Sequence, residues 1–129
     1  MIPVSAVYIA LNALILVALG VLVVRERWRS GVGLGMGKGD SRLARLVRCH
    51  ANAAEYMPLS LLLIVALELM AAPVWLLHIF GLLLTAGRIL HPFGLLRSAG
   101  ASWQRAGGTA LTWHVLILAP PVLIYLAVT

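Results

Sequence analysis

The sequence predicts an all-α integral membrane protein, a four-transmembrane-helix bundle, and three observations carry that prediction. Of 129 residues, 62% are hydrophobic and 11% are charged, whereas an ordinary soluble domain has roughly 45–50% apolar and about 25% charged residues. With a mean hydropathy of +1.01, a chain this short cannot hide its apolar surface from water. The apolar residues fall into four long runs, and all ten Lys and Arg lie between Arg25 and Arg48 or between Arg88 and Arg105. Basic residues beside apolar runs mark membrane loops, so the net charge of +6 is not read as a nucleic-acid surface.

The first span, residues 2–24, carries no charge and as a helix would reach ~35 Å, enough for a ~30 Å hydrocarbon core. It does not have the pattern of a signal peptide, because the basic cluster Arg25, Arg27, Arg29 follows it. Asn12, its strongly polar side chain, is expected in a helix–helix hydrogen bond. Residues 25–42 form a basic loop in which Gly31, Gly33, Gly35, Gly37 and Gly39 alternate with other residues, a linker rather than a phosphate cradle. Asp40 or Ser41 is the expected N-cap of the second span, residues 43–72, with a kink at Pro58 and a turn at Pro73.

The third span, residues 74–90, is short, and Gly81, Ala86 and Gly87 invite a close neighbour. Pro92 and Gly94 are expected to open a second loop, residues 91–104. The fourth span, residues 105–128, carries the small pair Gly108 and Thr112, with Pro120 and Pro121 near its far end. The whole chain, 1–129, reads as one membrane domain. Positive-inside bias then places both basic loops in the cytoplasm and both termini outside.

The chemistry concentrates in Arg48-Cys49-His50-Ala51-Asn52-Ala53-Ala54-Glu55-Tyr56-Met57-Pro58. At about 100° per residue, Arg48, Asn52 and Glu55 fall within roughly 60° of one another, and His50 points elsewhere. Arg88 and His91 at the end of the third span, and Arg105 at the start of the fourth, belong to the same depth. Two readings stay open on these residues alone. The arginines are interfacial anchors, with Glu55 neutralising one of them; or the layer is a pocket for a small anionic, amphipathic ligand. No metal site is expected, since the four histidines sit on different spans or depths. Cys49 lies off the Arg48 stripe, and as a lone cysteine it forms no intrachain disulfide. His78, His114 and Glu68 are not assigned to the site, and Glu68 is expected to make an inter-helix or interfacial contact.

The pattern Arg48-x-His50-x-Asn52-x-x-Glu55-x-x-Pro58 resembles the MAPEG family, the membrane-associated proteins in eicosanoid and glutathione metabolism. Gly87-Arg88-x-x-His91 and Arg105-x-x-Gly108-x-x-Leu111-Thr112 are similar to that family as well, with the small bacterial members nearest in appearance. The resemblance implies a homotrimer in a bacterial inner membrane. It implies glutathione held by Arg48, Asn52, Glu55 and His91, with Arg88 in the same layer, and Arg105 as the catalytic residue that stabilises the thiolate. It implies a membrane-bound transferase or peroxidase acting on a hydrophobic electrophile or lipid hydroperoxide. The alternative is a non-catalytic trimer of the same fold that binds lipid or another small anionic ligand. Leu95 and Ala106 stand where the mammalian prostaglandin synthase has a tyrosine and a serine, which argues against that particular activity.

Overall fold

A computed structural model describes residues 1–97 and 100–129 as four helices: α1 Pro3–Ser30, α2 Arg42–Leu69, α3 Val74–Arg97 and α4 Trp103–Val128. Each is long and apolar enough to cross a membrane. The helices run up and down. The start of α1 meets the end of α2 through Glu68, and the start of α3 through the Tyr8–His78 hydrogen bond of 3.0 Å. At the opposite end Arg45 on α2 donates to the Leu96 carbonyl on α3 at 3.2 Å. Trp28 and Trp103 are exposed at that basic end, and Trp75 and Tyr125 toward the other, where amphipathic rings sit at membrane–water boundaries.

Two apolar clusters hold the bundle. Ile64, Leu67, Leu77, Phe80, Leu84 and Val115 pack toward the end that carries the termini. Leu19, Cys49, Ala53, Met57 and Leu95 pack toward the basic end. Many large apolar side chains point outward, among them Leu14, Val17, Leu62, Ile79, Leu82 and Ile117. A water-soluble bundle would bury such faces; in a bilayer they meet acyl chains at no cost. Asn12 makes the expected inter-helix bond, its Nδ2 donating to Thr85 Oγ1 on α3 at 3.0 Å and to the Tyr8 carbonyl at 2.9 Å.

The ends of the helices differ from the spans read off the sequence. α1 does not stop at Val24 but continues through the basic cluster to Ser30, since Arg25, Glu26 and Arg27 are good helix formers and only Gly31, left-handed at φ 67°, ends it. Ser41, not Asp40, caps α2, its Oγ accepting from the Ala44 amide at 3.1 Å. α2 ends at Leu69 rather than Ala72, because Ala71 turns left-handed (φ 55°) and the Ala71 and Ala72 amides return to the Glu68 and Leu67 carbonyls. α3 passes through Pro92 and Gly94 to Arg97, so His91 lies in a helix, not in a loop. Pro92 removes one helical hydrogen bond, but burial of Leu95 and the Arg45–Leu96 bond hold the following turn. The remainder of the expected 91–104 loop includes Ser98 and Ala99, which lie outside the described residues. α2 and α4 likewise run on through Pro58 and through Pro120 and Pro121.

Glu68 explains how α1 begins. Its N-cap, Ile2, offers no side-chain acceptor. The Glu68 carboxylate supplies one from the neighbouring helix, accepting from the Val4 amide at 2.9 Å and the Ser5 amide at 2.6 Å. A carboxylate at a helix N-terminus satisfies free amides and opposes the positive end of the helix dipole. Glu68→Ala is therefore expected to lower stability by about 1–2 kcal/mol. Glu68→Gln, which keeps one acceptor oxygen and no charge, should lose about half as much. Denaturant titration in a mild detergent measures both, and an unchanged midpoint for Glu68→Ala would remove Glu68 as the cap.

Candidate functional site

The site begins with the crossing of α3 and α4. A Cβ built at Gly87 would stand 2.7 Å from the Gly108 carbonyl oxygen, and one at Gly108 would stand 2.6 Å from the His91 nitrogen. Only glycine at both positions permits that approach. The close contact brings the Gly108 carbonyl and the Thr112 hydroxyl within reach of Arg88. Two turns past Gly87, a Cβ at Gly94 would meet the Arg105 backbone nitrogen at 2.6 Å, so the same tight seam fixes the place of Arg105 in the first turn of α4.

Arg88 is fully buried, with 1% of its surface exposed. Its Nη1 donates to Asn52 Oδ1 at 2.8 Å and reaches the Asn52 carbonyl at 3.4 Å. Its Nη2 donates to Thr112 Oγ1 at 2.6 Å and to the Gly108 carbonyl at 3.3 Å. The Tyr56 ring lies 5.6 Å from the guanidinium carbon, within cation–π range. No carboxylate pairs with it among the described residues. One guanidinium thus ties α2, α3 and α4 together through neutral acceptors. Its donors are spent on the protein, apart from Nε, which is buried without a partner. Arg88 orients Asn52 rather than facing the cleft beside it.

That cleft, of about 90 Å³, is lined by Arg48 and Asn52 from α2, His91 and Leu95 from α3, and Arg105 from α4. Of the six residues singled out in the sequence, the fold gathers four around one opening, sets Arg88 beneath it, and leaves Glu55 exposed outside its lining. Arg48 is exposed, Asn52 and Arg105 are half-buried, and His91 is buried. Two guanidiniums, an amide and an imidazole on rigid helices are donor groups of the kind that bind anions. A second, larger recess of about 450 Å³ shares Arg105 with it and runs along α4 past Ser102, Ala106, Thr109 and Ala110 to Trp113. Arg105 therefore stands between a small polar cleft and a mostly apolar groove.

The remaining polar residues of the motif fall elsewhere. His50 packs toward α1, its Nε2 3.6 Å from the Cβ position of Gly20. Cys49 is buried in the apolar cluster at the basic end. His78 bonds Tyr8, and His114 bonds the Ala110 carbonyl of its own helix at 2.7 Å. Sequence reasoning missed Tyr56 and the acceptor role of Thr112. The Gly108/Thr112 pair was visible as a packing signal, but a small residue that doubles as a hydrogen-bond acceptor leaves no separate mark in the sequence.

A four-helix membrane protein with an arginine-lined cleft at its basic end is the class this geometry defines. The model of the MAPEG family matches residues 5–125, and the chain belongs to that family. It is 40% identical over 115 residues to the Inner membrane protein YecN of Escherichia coli strain K12, covering 89% of this chain and 86% of the relative. The YecN of Escherichia coli O6:H1 strain CFT073 is similar to the same extent.

Proposed function

We propose that this chain is a glutathione-dependent transferase or peroxidase of a bacterial inner membrane, acting on hydrophobic electrophiles or lipid hydroperoxides. The observation that carries the reading is the convergence of Arg48, Asn52, His91 and Arg105 on one cleft that opens, at Arg105, into an apolar groove. Glutathione carries two carboxylates and a thiol. Arg48 with Asn52 suits a carboxylate, and Arg105 suits the sulfur. The cleft in one chain takes only one end of such a molecule, which fits a site completed by a second copy in a homotrimer. The exposed apolar faces of the helices suit that assembly as well as they suit lipid. A trimeric mass in mild detergent is the expected result, and a monomeric one would sink the assembly.

In this reading Arg105 holds glutathione as the thiolate, lowering a thiol pKa that is ordinarily about 8.5. The thiolate adds to an electron-poor carbon–carbon double bond lying in the groove toward Trp113 and forms a thioether, the displaced π pair taking a proton from water, or it displaces a leaving group that departs as its anion. With a hydroperoxide, two glutathione molecules give the disulfide, an alcohol and water. The protein supplies position and charge while glutathione supplies the reacting atom. A non-catalytic trimer that binds lipid or another small anionic ligand is the second reading, favoured by the apolar Leu95 in the wall of the cleft.

A thermal titration separates the two. A ligand that binds the folded state alone stabilises it by about 2.7 kcal/mol at one hundred times its Kd. Glutathione at millimolar concentration is expected to raise Tm by several degrees, and Arg48→Ala to remove the rise. A flat titration of the wild-type chain would leave the second reading standing.

A further inference from the structure

We propose a phosphate-binding site for an anionic phospholipid headgroup in the cleft between the C-terminal turns of α1 and the first turn of α2. This cleft, of about 260 Å³, is lined by Leu22, Arg25, Glu26, Arg29, Arg42 and Leu46. It is separate from the Arg48–Arg105 cleft, and the inference does not rest on the proposed enzymatic function.

Three observations point to a bound anion. Arg25 and Arg29 are four residues apart on one helix face, and Arg42 faces them from the next helix. Like charges at that spacing repel, and their convergence is stabilised when an anion sits between them. The acid present in the lining, Glu26, is already engaged, its Oε2 3.3 Å from Arg42 Nε. Arg25 and Arg29 are exposed and make no hydrogen bond or ion pair among the described residues. The lining carries three guanidiniums and one carboxylate, so it is net positive after the internal pair is counted.

The place and floor of the cleft select the anion. α1 leaves the apolar run at Val24 and projects a further six residues, Arg25 to Ser30, as helix. The arginines therefore hang at the level where lipid phosphates lie. The exposed Trp28 on the same turns marks that level. Beneath the guanidiniums are Leu22 and Leu46, which suit a glycerol backbone and the top of an acyl chain but offer nothing to a free, fully hydrated phosphate. Arginine forks match phosphate oxygens two at a time.

The test uses the full chain in a neutral detergent, with retained lipid counted by native mass spectrometry and Tm followed in parallel. Phosphatidylglycerol is titrated against phosphatidylcholine and against inorganic phosphate. Wild-type chain is expected to retain phosphatidylglycerol over phosphatidylcholine and to gain Tm from it. At ~1 kcal/mol per basic residue near anionic lipid, about fivefold in affinity, the R25Q/R29Q double variant should bind about 25-fold more weakly. Arg97→Gln, a basic residue outside the cleft, should bind as wild type. If the double variant does not fold, Arg25→Gln and Arg29→Gln taken singly should each bind about fivefold more weakly. Equal retention of the two lipids, or wild-type binding by the Arg25 and Arg29 variants, overturns the site. A Tm gain from inorganic phosphate equal to that from phosphatidylglycerol overturns the lipid as its occupant.

Discussion

Replacing Arg88 by alanine is expected to destabilise the bundle by about 3–5 kcal/mol, the largest single effect on its stability. Two losses add. A long side chain with 1% of its surface exposed leaves a void where α2, α3 and α4 meet. Asn52 Oδ1 and Thr112 Oγ1, now 2.8 and 2.6 Å from the guanidinium, lose their donor. One gain opposes them, because a buried cation without a carboxylate partner carries a desolvation cost that the substitution removes. Arg88→Met separates the terms. It fills most of the volume and removes the charge, so it should fall between wild type and alanine. A methionine variant more stable than wild type would show that the desolvation cost exceeds the hydrogen bonds. Arg88→Lys keeps the charge but not the fork; it reaches fewer of the acceptors on two helices and should resemble methionine. Denaturant titration in mild detergent measures all three. Because Arg88 also holds Asn52 Oδ1, each variant is expected to weaken the glutathione binding proposed for the cleft by more than its stability alone predicts.

The Arg88 hub shows where the sequence was legible and where it was not. Four spans, their order and the shared end of the two basic connections follow from apolar runs and from the placement of Lys and Arg, signals that a bilayer imposes on composition. Helix ends were less legible. Pro92 and Gly94 carry the local chemistry of a turn, yet α3 continues because Leu95 is buried and Arg45 holds the Leu96 carbonyl; tertiary contacts outweighed a local preference. At the site, helical phase was enough to put Arg48 and Asn52 on one stripe, and depth was enough to bring His91 and Arg105 level with them. Phase does not say which neighbour a stripe meets. Glu55 shares the phase of Asn52 but lies outside the cleft lining, and Arg88 shares the depth of His91 but turns into the α2–α4 interface. The difference lies in the Gly87–Gly108 crossing, which presents acceptors to Arg88. A pair of glycines signals that two helices approach; it does not say which cation the exposed carbonyl will take.

If the chain has the proposed glutathione-dependent activity, replacing Arg105 by alanine is expected to lower the rate of conjugation of glutathione to a model electrophile by about 10²–10³-fold, roughly 3–4 kcal/mol of transition-state stabilisation. The residue sits in the first turn of α4, where Ser102 Oγ accepts from the Arg105 amide at 3.3 Å. Its backbone is held against Gly94, so its side chain starts from a fixed point. It lines both the polar cleft and the apolar groove, so a thiolate beside it would meet an electrophile arriving from the membrane. The role proposed for Arg105 divides from those proposed for Arg48 and Asn52 by kinetics. Loss of a group that stabilises the thiolate should lower kcat and raise the pH at which the rate rises toward that of free thiol, with a smaller effect on KM. Loss of a group that binds a carboxylate should raise KM and leave the pH profile in place. Arg105→Lys, which retains the positive charge, should recover part of the rate and part of the pH shift. Conjugation by Arg105→Ala at the wild-type rate, with an unchanged pH profile, would remove Arg105 as the thiolate partner. If glutathione still raised Tm in that variant, the cleft would remain a binding site whose chemistry lies with another residue.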